Sequence, residues 1–418
     1  MEYYPKNAIG DGIVDDTIAI QTAINNNDIV VFKSGKIYKT GSLILHENLH
    51  LHFEKNSKLL ASDNIDKYIK PGDIDNDSNR GVGTPVTRKP AYAFLYSLNA
   101  NNITIDGYGT IDGNCDCFVH TINKYYKNGD FYPRQTLLYV ENCKNLVVKE
   151  TTFINAPFWT IHFAGCKDVL IDSIQIDNPL DVANSDGIDP DHSQNVIIKG
   201  CRISCADDCI CLKNCNGNSE YPPTKNVIIS DCILTSTSAA LKIGTEGVDS
   251  FEDVLINNCQ IIDSNRGISL QIRDSGNVKN VRFSNIIIKT RRFSDDWWGT
   301  GEPISITSFN RNSNTISGFI DNVVFENIYI ESESSILLAT DDKSKIGKIK
   351  FNKIDMNLKS KSKWSKDKID LRPKYDEPQF IYNKPSLFIL VNCLTPEIND
   401  FESNIDKENF SAEIIKIS

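Results

Sequence analysis

KDVLIDS at 167–173, QNVIIKG at 194–200, KNVIISD at 225–231, EDVLINN at 252–258 and KNVRFSN at 279–285 are five versions of one phrase. A polar pair, often ending in Asn, is followed by alternating apolar positions and a polar turn. NNITIDG at 101–107, KNLVVKE at 144–150 and DNVVFEN at 321–327 extend the series in both directions. From Val169 to Val196, Val227, Val254 and Val281 the steps are roughly 27, 31, 27 and 27 residues, a period that belongs to solenoids. A step of that length cannot hold a helical pair. Its richness in Ile, Val and Asn predicts several short strands joined by turns. The expected fold is all-β, a right-handed parallel β-helix in which stacked coils form parallel sheets.

Two consequences follow. Outward residues of neighbouring coils line up about 4.8 Å apart, so groups 20 to 30 positions apart in sequence can meet at one spot. The exposed strand edges at the end of a stack require a cover. DGIVDDTIAIQTAINNN, at 11–27, supplies a candidate: Ile20, Ala23 and Ile24 recur at helical spacing, with Asp15 or Asp16 as N-cap. One domain is expected over 1–418, with an N-terminal cap over 1–30, coils with loop insertions over 31–395, and a C-terminal tail over 396–418.

Composition narrows the function. Of 418 residues, 40% are hydrophobic and no apolar run approaches the roughly 20 residues of a membrane helix, so no membrane partner is expected. A net charge of −10 argues against a nucleic-acid partner. It would also repel an anionic polymer at long range, so any acidic substrate must be held by local Lys and Arg. The opening MEYYPKNAIGDG has neither a basic start nor an apolar run. A cytoplasmic protein is expected if Met1 is the native start, and a secreted or periplasmic one with its leader removed otherwise. The 12 cysteines lack paired zinc-site spacings. Cys201, Cys232 and Cys259 share one place in successive repeats, which predicts a reduced interior ladder.

The segments around the repeats resemble glycoside hydrolase family 28, the polygalacturonase family. The resemblance lies in Tyr92–Gly113 with its NNITIDGYGTIDG, in APFWTIHF from Ala156, in NSDGIDPDHSQNV from Asn184 and in CADDCICLK from Cys205. GDGIVDDTIAIQTAI, from Gly10, resembles the entry segment of many β-helix polysaccharide enzymes and phage tailspikes. Asn184-Ser185-Asp186 stands for the family's Asn-Thr-Asp motif, and Asp207-Asp208 for its Asp-Asp pair one coil later. Three crowded carboxylates raise the pKa of at least one, which divides acid from base. The resemblance implies an inverting glycosidase with Asp207 as general acid, and with Asp186 and Asp208 holding and activating water. Inverting pairs usually stand about 6.5 to 9.5 Å apart. The competing reading of any single Asp is a plain turn former.

Two family motifs are missing. Ser238-Ala239-Ala240 stands where Gly-His-Gly is expected, and Ser269 and Gln271 stand where Arg-x-Lys is expected. Nearby polar groups are candidate replacements. Lys242, in an otherwise apolar strand, must face outward or be paired, which suggests a carboxylate anchor. Glu246 is a second candidate substrate contact. Arg273 suits a forked grip on a uronate, or a salt bridge to Asp274 or Glu246. Trp297 and Trp298, in the insertion FSDDWWGTGE from Phe293, could stack on sugar rings or pack within their own loop. His162 and His192 read as structural.

A second insertion, from Lys70 to Ala91, carries Arg80, Arg88 and Lys89. It resembles loops that close the groove in exo-acting bacterial members, which favours terminal attack. KSKSKWSKDK, from Lys359, reads as a basic exposed loop, and PSLFILVNCL, from Pro385, as a late strand. The expected partner is a pectic poly- or oligosaccharide, galacturonan or a relative such as rhamnogalacturonan, with no metal or cofactor; the sequence does not set the oligomeric state. A calcium-dependent polysaccharide lyase and a non-catalytic, tailspike-like glycan binder are the alternatives.

Overall fold

The structure is a computed structural model describing residues 3–71, 89–124, 126–128, 134–295, 297–375 and 380–417. The chain winds into coils of three short strands. One coil reads Lys167–Asp172, Gln175–Asp177 and Ile188–Asp191, and the next reads Gln194–Lys199, Arg202–Cys205 and Ile210–Asn214. Each strand pairs in parallel with its counterpart one coil on, so that Val169, Val196, Val227, Val254 and Val281 stand in one register. The first two columns of strands join in a 21-stranded sheet, and the third forms a 12-stranded sheet. The whole is a parallel β-helix.

The repeated phrase has a physical reading at each position. The residue before each valine turns the corner with a positive φ: Asp168 at 59°, Asn195 at 54°, Asn226 at 56°, Asp253 at 58° and Asn280 at 56°. Short Asn and Asp side chains accept this left-handed backbone. They also bond from coil to coil, Asn195 Nδ2 donating to Asp168 Oδ1 at 2.8 Å and Asn226 Nδ2 to Asn195 Oδ1 at 3.1 Å. The Val and second Ile then point inward, where one continuous core runs the length of the stack. Phe283, Phe325 and Phe351 stack face to face at 4.8 and 4.9 Å within it. Cys201, Cys232 and Cys259 are buried in one column, and all 12 cysteines are unpaired.

Helix Thr17–Asn26 sends Ile20, Ala23 and Ile24 into that core. Asp16 is the N-cap residue, but its carboxylate makes no capping bond; it turns back to accept from the N–H groups of Ile9 and Gly10 at 2.7 and 2.9 Å. Asp15 instead accepts from the N–H of Thr17 at 2.9 Å. Residues 396–418 differ from the expected tail. Glu397–Ile405 pairs with Ile349–Leu358 and Ser411–Ile417 pairs with Ser386–Val391, so the acidic segment continues both sheets. Its charges lie on outward positions that the pleat leaves in solvent, which hid the strand period from a reading by composition.

Candidate active site

The third column carries the site. Asp186 lies in the turn that leads into Ile188–Asp191, and Asp207 and Asp208 lie in the matching turn of the next coil, before Ile210–Asn214. The two turns are laced together. Gly187 N–H donates to Asp208 O at 2.9 Å, and Ser185 Oγ accepts from Ala206 N–H at 3.2 Å while donating to Val182 O at 2.8 Å. The Ser in place of Thr therefore has a bonding role of its own. A Cβ on Gly187 would stand 2.4 Å from Cys209 O, so only glycine lets the coils close here. As a result, one carboxylate oxygen from each of Asp186, Asp207 and Asp208 lies within 4.8 Å of the other two.

All three are buried: 2%, 7% and 1% exposed in chain order. Burial drives the Asp186 carboxyl well up, and the neighbouring charges of Asp189 and Asp207 add to the rise. Burial and the adjacent Asp208 lift Asp207 to about 6. Asp207 Oδ2 accepts one bond, from the N–H of Asn184 at 3.1 Å. Asp208 is gripped on both oxygens, by Lys242 Nζ at 2.6 Å and Ser238 Oγ at 3.2 Å. Ser238, which stands where Gly-His-Gly is expected, and Lys242 thus both bond Asp208. The triad is also a set of donors that a cation would accept, as is a separate surface cluster of His50, His52 and Asp106 on the early coils.

The other expected contacts divide. Lys242 is largely enclosed and spends its charge on Asp208 rather than standing free as an anchor. Glu246 faces Lys213 at 3.3 Å; burial opposes its charge, but Lys213, Arg311 and Lys242 outweigh that and hold its carboxyl down at about 2. Arg273 is a correction. It is fully buried and donates to the carbonyls of Ile272 at 2.8 Å, Leu371 at 3.3 Å and Pro373, so it neither reaches a uronate nor bridges Asp274. Arg311 takes Asp274 instead, at 2.8 Å. Segment 371–373 arrives from about a hundred positions away, and no local pattern announces it.

Trp297 packs neither within its own loop nor in the open: it is 3% exposed, lies edge-on to Tyr126 at 5.0 Å, and donates its indole N–H to Ala206 O at 3.0 Å. Its loop thus folds back against the catalytic turn, and Trp297 lines a cleft of about 360 Å³ with Lys124, Leu180, Asp181, Thr237, Phe293 and Ser294. Trp298 lies under the Arg372 guanidinium, 5.0 Å from its ring centre. His162 and His192 both bond Asp191, at 3.1 and 2.9 Å, and are structural. Arg80 and Arg88 lie outside the described residues, and Lys89 pairs with Glu141.

Lys213 is the central residue that the sequence reading passed over. Its ammonium sits 3.4 Å from Asp186, 3.5 Å from Asp189 and 3.3 Å from Glu246, above the Trp159 ring at 4.3 Å. The available signal was the one used for Lys242, a lysine closing an apolar strand, ICLK. Arg134 was missed as well; it donates to Ala183 O at 2.6 Å and Asn184 Oδ1 at 3.0 Å, and so holds the Asn184 turn.

Known proteins place this arrangement. The profile described as "Glycosyl hydrolases family 28" matches residues 82–372, more than half of the chain. The protein belongs to family 28. Over 311 residues it is 28% identical to a probable polygalacturonase of Vitis vinifera, a match covering 70% of this chain and 61% of that one. It spans 43% of two further plant relatives. The polygalacturonase structure from Erwinia carotovora ssp. carotovora superposes with a TM-score of 0.66 at 20% identity, over 88% of this chain and 93% of that one. PfbA, a surface adhesin of Streptococcus pneumoniae, superposes with a TM-score of 0.60 at 16% identity, over 97% and 93%. The coil alone therefore does not separate a hydrolase from an adhesin.

Proposed function

We propose that this family 28 member hydrolyses glycosidic bonds in pectin-type, galacturonate-containing poly- or oligosaccharides. The reading rests on one observation: three carboxylates from adjacent coils share one spot, and the one lifted to about 6 forms no ion pair among the described residues while its neighbour is gripped by Lys242. Protonated Asp207 gives its proton to the glycosidic oxygen as the bond from anomeric carbon to oxygen breaks. A water held between Asp186 and Asp208 attacks that carbon and loses a proton to Asp208. Both carboxyls then return to their starting states by exchange with solvent. Lys213 tempers the charge at Asp186, and Lys242 and Ser238 orient Asp208.

The separation of under 4.8 Å is shorter than the usual inverting range. Two hydrogen bonds of about 2.8 Å each let one water bridge oxygens at this distance, which is why we favour single displacement. On spacing alone a retaining double displacement is the second reading, and the anomeric configuration of the first product, followed by NMR, decides between them. Terminal attack rests on the resemblance of the insertion from Lys70 to Ala91 to groove-closing loops, and residues 72–88 of it lie outside the described residues. Release of monomer or dimer only, rather than a ladder of oligomers, is its test.

A single right-handed solenoid domain, closed at its start by helix Thr17–Asn26, completes the proposal. The decisive experiment is release of reducing ends from a panel of pectic glycans by the wild type and by Asp207→Asn. We expect the variant to keep its circular dichroism and to lose about 10²- to 10⁴-fold in kcat. A fully active variant removes Asp207 as the acid.

A further inference from the structure

The wall beside the triad carries neutral polar side chains. In the third column, Lys242 pairs in register with Ser269 and Ser269 with Ser305, while Gly244 pairs with Gln271. Ile268, Leu270 and Ile272 point into the core, so the alternation of the strand turns Ser269 and Gln271 to the same outer face as Lys242. Ser269, Gln271 and Ser305 are each at most 2% exposed. Nevertheless Ser269 Oγ, Gln271 Nε2 and Ser305 Oγ have no hydrogen-bond partner among the described residues. Buried polar atoms without partners are rare, because each forfeits the bonds it made to water. Three of them on neighbouring rungs, Ser269 and Gln271 one coil beyond Lys242 and Ser305 two, form a row of neutral groups that lacks its complement.

The charges nearby point the same way. Asp186, Asp189, Asp207, Asp208 and Glu246 are five carboxyl groups gathered around only two ammonium groups, Lys213 and Lys242. The guanidinium groups bordering this face are committed elsewhere: Arg273 to backbone carbonyls, Arg311 to Asp274, and Arg266 to Glu302 and Asp370. In the adjoining cleft Lys124 is accompanied by Asp181. A free uronate brought against Ser269 and Gln271 would find these cations already paired, Lys242 with Asp208 and Lys213 with Glu246. Hydroxyl groups would instead give and accept the bonds these side chains lack.

We propose that the sugar unit seated against Ser269 and Gln271 is uncharged, a neutral or carboxyl-masked unit of a pectic chain, with Ser269 and Gln271 as its specificity-determining contacts. The inference rests on the hydrolase reading above, but its test does not depend on turnover. Affinities are measured calorimetrically on Asp207→Asn for matched oligogalacturonides with free carboxylates, their methyl esters, their carboxyl-reduced galactose counterparts, and rhamnogalacturonan oligomers. The neutral or masked ligands are expected to bind about ten-fold or more tightly than the free acid. Ser269→Ala and Gln271→Ala should remove most of that margin, and Gln271→Lys should move it toward the free acid. Equal or tighter binding of the free oligogalacturonide overturns the proposal, as does an unchanged margin in both alanine variants. Hydrolysis is scored separately on the wild type with the same oligomers. Selective binding without Asp207-dependent cleavage would reject the hydrolase and keep the selectivity, whereas cleavage that prefers the free acid would do the reverse.

Discussion

The first and third strand columns of this solenoid are wound from the same chain at the same pitch, yet they obey different rules. In the first, both the corner and the inward positions repeat: Asp168, Asn195, Asn226, Asp253 and Asn280 turn the backbone and bond to one another, and a valine follows each. In the third, only the inward positions repeat. Its outer face changes residue type at most steps, with His162 opposite Asp189, Cys211 opposite Lys242 and Lys242 opposite Ser269, before Ser269 meets Ser305. Stacking demands like beside like where backbone corners or core side chains meet. A face that meets solvent or substrate is released from that demand, and there unlike groups can be set side by side.

The largest expected break in this comparison comes from Lys213. Replacing it with Met leaves Asp186, Asp189 and Glu246 buried without their shared counter-charge, and should cost about 3 to 5 kcal/mol in urea unfolding. A loss below about 1 kcal/mol would mean that the outer face of the third column tolerates change as an ordinary surface does. Lys242→Met should lower kcat about 100-fold with KM little changed, because the side chain positions Asp208. A rise confined to KM would restore it as a substrate anchor.

The pH dependence sharpens the assignment of Asp207. Its carboxyl, lifted by burial and Asp208 to about 6, must be protonated to act, so kcat/KM should fall about ten-fold per pH unit above that value. Stability carries the same sign. Between the ordinary value of 3.8 and about 6 the native state holds a proton that the unfolded chain has released, so the free energy of unfolding declines as pH rises through this window. Asn226→Ala is the smallest test. It should cost about 1 to 2 kcal/mol, from a left-handed corner at 56° and a lost ladder bond, while activity stays unchanged.

The same contrast explains what could be read from the amino-acid sequence. The coils, the Cys201–Cys232–Cys259 column and the meeting of Asp186 with Asp207 and Asp208 were legible, because repetition at a fixed step reports register directly. Arg273 was misread for a reason of distance in the chain: its partners are carbonyls of Leu371 and Pro373. The same holds for Trp297, whose indole proton goes to Ala206. Lys213 escaped because ICLK reads as the end of a core strand, and its three carboxylate partners come from two separate segments, Asp186 and Asp189 from one and Glu246 from another. What long-range packing decides, a period of about 27 residues does not encode.

The corner ladder also governs how such a protein can lengthen or shrink. Removing a handful of residues between Val227 and Val254 would set every later asparagine out of step with the one below it, whereas excising the full lap returns each to an equivalent neighbour. The molecule should therefore grow and contract in whole turns, with partial insertions confined to loops that leave the barrel and come back to the same rung, as the stretch around Trp297 does.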